Sequence, residues 1–371
     1  MQKVKAEIHL NSIKRNAKSF LEKTGTKLCA VVKANAYGHG AEEVVNALSG
    51  IASCFAVALI EEAIAIRTAA LDTDILVFTP PITEEEVFTL AANGFVATVP
   101  DLWTARLVHG VCEKYRMRLR VHLKTNTGMN RYGMNAQTLG KVCRFLQDSI
   151  WVQVEGLYSH LYTNDFCVAT EQRQRFLQMR RICIGYYPNA IFHLSATYGS
   201  LLGVDFAFDM VRIGIGLYGY LPSLTEKSGV TEPPELYKAM TVHTVTVATR
   251  KPSYGGLGYG ESYTNLALRS LGEISLCRAG YADGFLRKGQ NGTVDSKDIL
   301  GNLCMDVCIR HNKKRRGQNV ALLIDAEETA KATGTISYEV LCAATRRAEF
   351  VYEENGVEVC ASNRRKGSGV D

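Results

Sequence analysis

Short apolar runs alternate with segments of helical periodicity over the first 220 residues of the chain. Each run is rich in β-branched and other apolar residues, as buried strands are, and apolar residues recur three and four positions apart between many of the runs. This alternation is typical of β–α units. The predicted strands are residues 28–33, 54–59, 75–78, 95–99, 119–124, 152–158, 190–194 and 211–215.

The segments between the runs predict helices with recognisable ends. The first, residues 13–23, is expected to follow Asn11 as its N-cap and to stop at Gly25. Eight β–α repeats in a stretch of this length favour a closed (β/α)8 barrel over an open sheet, and no GxGxxG motif follows the first strand. Further predicted helices are residues 41–48, 61–70, 84–92 and 170–184.

The pattern changes after Pro222, where a loop rich in Ser, Glu and Pro leads into alternating segments such as residues 241–249 and 273–277. These segments predict strands without helices between them. The sequence therefore predicts an α/β protein, with an N-terminal (β/α)8 TIM-like barrel over residues 1–231 and a mostly β C-terminal domain over residues 232–371.

Composition argues against a nucleic-acid-binding protein, a disulfide-stabilised protein and a membrane protein. The 43 basic and 37 acidic residues are spread along the chain, and the one dense basic run, residues 313–316, reads as a solvated loop, so no nucleic-acid partner is expected. The eleven cysteines contain no CxxC pair, and Cys54, Cys143 and Cys277 lie in apolar segments, as reduced core thiols do. Residues 1–10 (MQKVKAEIHL) lack the apolar region typical of a signal peptide, and the sequence contains no uncharged apolar run of membrane-spanning length. We expect a soluble cytoplasmic protein without a metal site.

Candidate chemistry stands at the predicted strand ends, which form the active face of a barrel. Lys33 ends the first strand in residues 31–40 (VVKANAYGHG), where desolvation can lower its pKa and favour a Schiff base with an aldehyde cofactor. A lysine there is structural more often than catalytic when taken alone. Arg212 ends the eighth strand in residues 210–219 (MVRIGIGLYG), whose glycines let the backbone approach a ligand closely.

Together with residues 122–133 (HLKTNTGMNRYG), 258–264 (GYGESYT), 279–285 (AGYADGF) and 303–306 (LCMD), these two segments resemble the motifs of the alanine racemase family. The resemblance runs in the family's order over nearly the whole chain. It implies a fold-type III amino-acid racemase that uses pyridoxal 5'-phosphate and works as a homodimer on a small amino-acid substrate.

A racemase needs two proton-exchanging groups, one on each face of the planar reacting carbon. The resemblance implies that Lys33 carries the cofactor and exchanges the α-proton on the D-side, while Tyr259 from the partner subunit exchanges it on the L-side. Since an ordinary tyrosine pKa is near 10, Tyr259 would depend on neighbours such as His160 and Arg212.

The resemblance also assigns cofactor contacts. Arg212 would donate to the pyridine nitrogen and, being permanently charged, leave it unprotonated, which weakens the ring as an electron sink and disfavours transamination. His160 would hold Arg212, and Arg131 would bond the phenolic oxygen. Lys124 matches a position that is carbamylated in many relatives, although an ordinary salt-bridged lysine also fits. The implied phosphate ligands are Tyr37, Thr197, Gly214 and Ile215.

At the substrate entrance the resemblance places Tyr281, Met305 and Asp306. One departure concerns Arg346, which stands where alanine-selective members carry a tyrosine. We hypothesise that Arg346 reaches the phosphate or a polar substrate side chain such as that of serine; pointing to solvent is the alternative. The sequence thus favours an alanine racemase that supplies D-alanine for peptidoglycan, with a serine racemase as the second reading.

Two other classes share the barrel. Single-barrel pyridoxal-phosphate carriers of cofactor homeostasis lack the residues after the barrel, whereas this chain has Tyr259, Tyr281 and Met305 there. Decarboxylases for basic amino acids pair the pyridine nitrogen with an acidic residue, whereas this chain places Arg212 at that position. Both classes are less favoured than a racemase.

Overall fold

The computed structural model describes residues 4–259, 270–286, 299–311 and 314–359. Its contacts divide the chain into two compact units. The barrel unit comprises Ile13–Ala34 and Ala41–Tyr237, and the β unit comprises the residues up to Ser12, the segment Asn35–Gly40 and the residues from Lys238 onward. The first strand, β1 (Lys5–His9), belongs to the β unit.

The barrel unit contains a sheet of eight strands in which all pairs are parallel. The last strand pairs with the first one, so the sheet curls round on itself, and the prediction of a (β/α)8 barrel is confirmed. All eight predicted strands are present: the bounds of the fifth and sixth match the prediction, and the ends of the other six are shifted by one or two residues. They are β2 (Lys27–Val31), β3 (Cys54–Val57), β4 (Asp74–Val77), β5 (Val96–Val99), β6 (Leu119–Lys124), β7 (Val152–Tyr158), β8 (Ile191–His193) and β9 (Met210–Ile213).

Ten helical segments accompany these strands. The predictions for the third and fifth helices match the observed bounds. The helices are α1 (Leu10–Thr24), α2 (Lys33–Gly38), α3 (Ala41–Leu48), α4 (Ile60–Ile66), α5 (Glu84–Ala92), α6 (Leu102–Tyr115), α7 (Ala136–Leu146), α8 (Phe166–Ile184), α9 (Thr197–Ser200) and α10 (Val204–Ala207).

Three predicted helix ends were wrong. Asn11 is not a cap, because α1 begins at Leu10 rather than at residue 13; its side chain donates instead to Asn355 Oδ1 at 3.0 Å. Helix α4 ends at Ile66 rather than at residue 70. Helix α8 begins at Phe166 rather than at residue 170, because the Asp165 carboxylate accepts from the first backbone N–H groups and caps it there.

The β unit is built on one branched sheet. Strand β1 pairs antiparallel with β10 (Met240–Arg250) and parallel with β14 (Glu349–Glu354). A mostly β second domain is thereby confirmed, but β1 was not predicted and comes from the stretch assigned to the barrel. The other elements are β11 (Ile274–Cys277), β12 (Cys308–Arg310), β13 (Asn319–Leu323), β15 (Val357–Val359), α11 (Ala326–Thr333) and α12 (Ser337–Ala344).

The cysteines expected in the core, Cys54, Cys143 and Cys277, are buried. Within the described ranges, no helix has the length and apolar character needed to cross a bilayer. Nor do the described His, Cys, Asp and Glu side chains form a group of three that could hold a metal ion.

Two glycines of the β unit test how tightly its loops pack. Both Gly284 (φ +103°) and Gly334 (φ +69°) have left-handed backbones, but only at Gly284 would a Cβ collide with a neighbour, the carbonyl oxygen of Ala343. We expect Gly334→Ala to cost about 1–2 kcal/mol for the backbone alone. Gly284→Ala should cost a further 1–3 kcal/mol or so through overpacking. Urea unfolding measures both, and equal losses would contradict the packing shown here.

Candidate active site

Arg212, on β9, is only 2% exposed. Its Nη1 donates to His193 O at 2.9 Å and to His193 Nδ1 at 2.8 Å, and its Nη2 donates to Ser159 O at 2.7 Å and Leu194 O at 2.9 Å. The expected contact with His160 is present, since Nη2 lies 3.3 Å from its Nδ1. Burial lowers the pKa of Arg212 to about 10, so the side chain is still charged at neutral pH.

A chain of two histidines continues inward from Arg212. His193 Nε2 lies 2.9 Å from His122 Nδ1, and the His193 ring stacks on Tyr158 with centroids 4.9 Å apart. Because a guanidinium only donates, His193 Nδ1 must accept, and its proton is on Nε2. His193 therefore donates to His122, whose own proton is on Nε2. This assignment follows from the hydrogen-bond pattern, and the sequence had not singled out either residue.

The three imidazoles around Arg212 are uncharged at neutral pH. Burial lowers the pKa of His122 to about 4 and holds the pKa values of His160 and His193 well below their usual range. The charge of Arg212 lowers all three pKa values further. The site can thus accept hydrogen bonds from Arg212 without adding positive charge to it.

Lys124, buried at the end of β6, has its Nζ 4.3 Å from the centroid of the Tyr158 ring. Burial lowers the pKa of this ammonium well below its usual value, and the charges of Arg212 and Arg131 lower it further. Arg131 is carried by a loop that folds back on the strand, since Met134 N–H donates to Lys124 O at 2.9 Å. In the described part of the chain, no ion pair joins Lys124, Arg131 or Arg212 to a carboxylate. The cluster is therefore suited to an anion.

Three of the predicted phosphate ligands lie close together around one turn: Thr197, Gly214 and Ile215. Gly214 precedes a 3₁₀ turn, Ile215–Tyr218, in which Gly216 N–H donates to the Thr197 hydroxyl at 3.3 Å. A Cβ at Gly216 would lie 2.6 Å from the Phe20 ring and 3.0 Å from Thr197 Cγ2. Only glycine allows this close approach, and the turn brings the predicted phosphate ligands of the barrel together.

Lys33 is half-buried and begins α2, which is a left-handed turn: residues Ala34 to Tyr37 all have φ between +52° and +55°. Such a conformation costs about 1–2 kcal/mol per non-glycine residue. Ala34 N–H donates to Glu62 Oε1 at 2.7 Å, which fixes the backbone next to Lys33. The charge of Lys33 also lowers the pKa of His160, so the two groups lie within electrostatic reach.

The rest of the turn packs in the β unit. The Tyr37 ring lies 6.0 Å from that of Tyr338, and burial raises the pKa of Tyr37. A Cβ at Gly38 would lie 2.5 Å from Leu341 O. His39 Nδ1 pairs with the carbonyls of Ala36 and Tyr37 at 3.0 and 3.1 Å. These contacts hold a strained segment directly after Lys33.

The predicted entrance residues lie on neighbouring loops of the β unit. Tyr281 N–H donates to Cys304 O at 3.1 Å, which joins the Tyr281 loop to the loop of Met305 and Asp306. Arg347, which was not predicted, donates to Asp283 Oδ1 at 2.9 Å and to Asp306 Oδ1 at 2.8 Å. Exposed Arg346 lines an open cavity of 660 Å³ with Tyr281, Tyr338 and Cys342.

Tyr259 is 64% exposed, and its backbone carbonyl accepts from Asn302 Nδ2 at 2.8 Å. A side chain this accessible is available to another molecule. Residues 260–264 of the same motif lie outside the described residues, as do residues 312–313 at the start of the predicted basic loop.

Comparisons with known proteins give consistent matches. The family model "Alanine racemase, N-terminal domain" matches residues 8–222, and "Alanine racemase, C-terminal domain" matches residues 239–352. An alanine racemase from Methanococcus maripaludis is 31% identical over 94% of this chain and 98% of its own length. The alanine racemase structure from Clostridium difficile has a TM-score of 0.86 at 30% identity, covering 96% of this chain and 97% of that chain. One from Bartonella henselae with covalently bound pyridoxal phosphate has a TM-score of 0.82 at 25% identity, covering 95% and 100%.

The buried histidines make stability depend on pH. Unfolded His122 titrates near 6.5 and folded His122 near 4, so unfolding takes up a proton between these values and stability falls as the pH is lowered through them. Glutamine offers a matching acceptor and donor. Between pH 6.5 and pH 5 we expect His122→Gln to lose about 1.6 kcal/mol less than wild type.

Urea unfolding at the two pH values measures this difference. His109→Gln, on outer helix α6, controls for the loss of one imidazole. Parallel pH profiles for His122→Gln and wild type would mean that folding leaves the pKa of His122 unchanged, and would contradict the lowered pKa.

Proposed function

Because the chain belongs to the alanine racemase family, we propose that it is a pyridoxal-phosphate-dependent racemase that interconverts the L- and D-forms of a small amino acid, first of all alanine. The observation that carries this proposal is the cluster of Lys124, Arg131 and Arg212, three basic side chains that pair with no carboxylate among the described residues, near Lys33. We further propose a cytoplasmic homodimer that supplies D-alanine for peptidoglycan.

The residues present fit pyridoxal phosphate. The uncompensated positive charge suits its phosphate and phenolic oxygens, and the glycine-dependent turn beside Thr197 suits close backbone approach to phosphate. In this proposal Arg131 bonds the phenolic oxygen, Arg212 faces the pyridine nitrogen and Lys33 carries the cofactor through its amine. The phosphate ligands are Tyr37, Thr197, Gly214 and Ile215.

When bound, pyridoxal phosphate withdraws electrons from the α-carbon of the attached amino acid and so acidifies its α-proton. Lys33 takes or returns that proton at Nζ on one face, and the partner subunit's Tyr259 does so at its phenolic oxygen on the other. Arg212 stays protonated at neutral pH and donates without giving up its proton. It thereby keeps the electron withdrawal moderate, which favours return of the proton over side reactions.

His160 would connect Arg212 with the partner subunit's Tyr259. Its Nδ1 faces Arg212 Nη2, so its proton is on Nε2, where it can donate to the phenolic oxygen of the partner subunit's Tyr259. Such a donor stabilises the phenolate form and brings the tyrosine closer to working near neutral pH. In the two-domain arrangement that we propose, residues 1–231 bind the cofactor and residues 232–371 supply Tyr259, Tyr281, Met305 and Asp306 around the substrate.

Lys124 has the chemistry needed for carbamylation. Its lowered pKa favours the neutral amine, which can add to carbon dioxide. The resulting carbamate would be an anion among cations and would pair with Arg131. We propose this modification as the way in which the site gains one negative charge.

Proton exchange tests the two-group scheme. In deuterated water, wild type should racemise alanine and incorporate α-deuterium. Tyr259→Phe should slow racemisation by at least about 100-fold, yet still exchange the α-proton of D-alanine with retention, because Lys33 remains. Lys33→Ala should abolish both reactions. Chiral chromatography with mass spectrometry measures all of these rates.

Tyr254→Phe is the matched control, since Tyr254 is 84% exposed in the same loop region and has no proposed role. Racemisation by Tyr259→Phe at the wild-type rate would refute the scheme. Release of carbon dioxide without racemisation would point to a decarboxylase instead.

Serine is the second candidate substrate, and Arg346 is the observation that favours it. The guanidinium lines the cavity beside Tyr281 and offers donors that a hydroxyl side chain can use. Arg346→Tyr is expected to lower the ratio of kcat/KM for serine to that for alanine by about tenfold. Glu339→Gln, which alters another polar side chain lining the same cavity, is the control. An unchanged ratio in Arg346→Tyr would show that Arg346 does not select the substrate.

A further inference from the structure

Strand β6 carries a polar column through the barrel interior. Arg120, His122 and Lys124 alternate along the strand and therefore share one face of it. Barrel interiors are usually filled by layers of branched apolar side chains. Lys124, at the carboxyl end, belongs to the candidate active site, whereas Arg120 and His122 lead towards the opposite end of the strands.

At that opposite end the barrel unit has a second cavity, of 550 Å³. The first residues of six strands line it, which identifies it as the amino-terminal mouth of the barrel: Lys27, Cys54, Asp74, Val96, Ile191 and Met210. His122 lines it as well. The candidate active site lies at the other ends of these strands, so this cavity is separate from it.

His122 is 4% exposed and presents an unused donor. Its Nδ1 accepts from His193, so its proton is on Nε2, and among the described residues Nε2 has no hydrogen-bond partner. The backbone is shaped around this ring: the β6–β7 register shifts between Val121 and His122, and Gly156 stands opposite, where a Cβ would lie 2.8 Å from the imidazole. This N–H donor belongs to a residue that lines the cavity, so a ligand or water there can supply the acceptor that the protein does not.

Charged side chains of both signs lie at the amino-terminal mouth. Arg120 Nη1 lies 2.6 Å from Asp74 Oδ1 and 3.7 Å from Glu155 Oε2, so Glu155 is the more weakly paired carboxylate. Burial raises the pKa of Glu155, and the charge of Arg120 offsets this rise only in part. Lys27 is the cation that lines the cavity, together with Asp74 and Glu155, whereas Arg120 is not part of the lining and pairs most closely with Asp74. A lining with one cation and a weakly paired carboxylate suits a ligand with no net charge that carries both signs.

We propose that the amino-terminal mouth binds a small zwitterion with an ammonium and a carboxylate group, of which a free amino acid is the simplest. The carboxylate accepts from His122 Nε2–H and lies near Lys27. The ammonium pairs with Glu155. A simple anion would leave Glu155 with only its long contact to Arg120, and a simple amine would leave the His122 donor unused.

The hydrogen-bond chain connects this ligand to Arg212. An acceptor at His122 Nε2 makes Nδ1 a better acceptor for His193, which in turn becomes a better acceptor for Arg212, because bonds in such chains polarise one another. A ligand in the amino-terminal mouth thus strengthens the hydrogen bond from Arg212 to His193. The effect on the reaction depends on the proposed function, whereas binding at the mouth does not.

The test uses the full chain, labelled with ¹⁵N in its histidines and supplied with pyridoxal phosphate. Glycine is the probe. The His122 Nε2 resonance is identified by its loss in His122→Gln. We expect a saturable shift of this resonance in wild type and an equal shift in Lys33→Ala, where the proposed cofactor attachment is removed. Glu155→Gln should weaken glycine binding at least about tenfold, the loss of roughly 1.4 kcal/mol. Glu61→Gln, on outer helix α4, is the control for loss of a carboxylate.

Acetate and ethylamine separate the ligand classes. Each should bind more weakly than glycine, and acetate binding as well as glycine would replace the zwitterion by an anion site and overturn the proposal. It is also overturned if glycine leaves the resonance unmoved, or if the shift disappears in Lys33→Ala but persists in Glu155→Gln. A protein that fails to racemise alanine yet shows the wild-type pattern of shifts would refute the proposed function and leave this inference standing.

Discussion

The buried charge of Arg212 is the constraint on which the barrel interior depends. Removing a guanidinium from water costs several kcal/mol unless its donors are used, and here carbonyls of Ser159, His193 and Leu194 together with two imidazoles accept them. The ends of β7 and β8 must therefore present their carbonyls towards β9. The same donors dictate which nitrogen of each neighbouring histidine carries a proton. Because none of these acceptors is a carboxylate, the positive charge remains available.

Much of the fold could be predicted because its signals are local. Buried parallel strands are continuous apolar runs and outer helices have a helical period, so all eight barrel strands and helices α3 and α5 were found. Strand β1 was missed because its pairing is not local: Lys5 pairs with His243 and with Glu349. A five-residue alternation next to a helix gives no sign that its partners lie more than two hundred residues away.

The residues of the candidate active site fall into the same two groups, those with a local signal in the sequence and those without one. Lys33, Lys124 and Arg212 could be found because they stand at strand ends, and a recognisable segment surrounds each of them. The pair His122 and His193 could not, since no motif sets either residue apart and only the register of the sheet brings their rings together. Arg347 was missed for a similar reason, because the two carboxylates it joins, Asp283 and Asp306, come from different loops.

The left-handed turn after Lys33 restricts how recombination between relatives can exchange parts of such a chain. Lys33 and Ala34 belong to the barrel unit, whereas Asn35–Gly40 belongs to the β unit, and the chain passes between the units at residues 12–13, 34–35, 40–41 and 237–238. Recombination at a single crossover point therefore cannot exchange one unit cleanly. A chimera that took its first 237 residues from a relative would also import β1 and the turn, both fitted to a foreign sheet. The two units are expected to diverge as one heritable block rather than as shuffled modules.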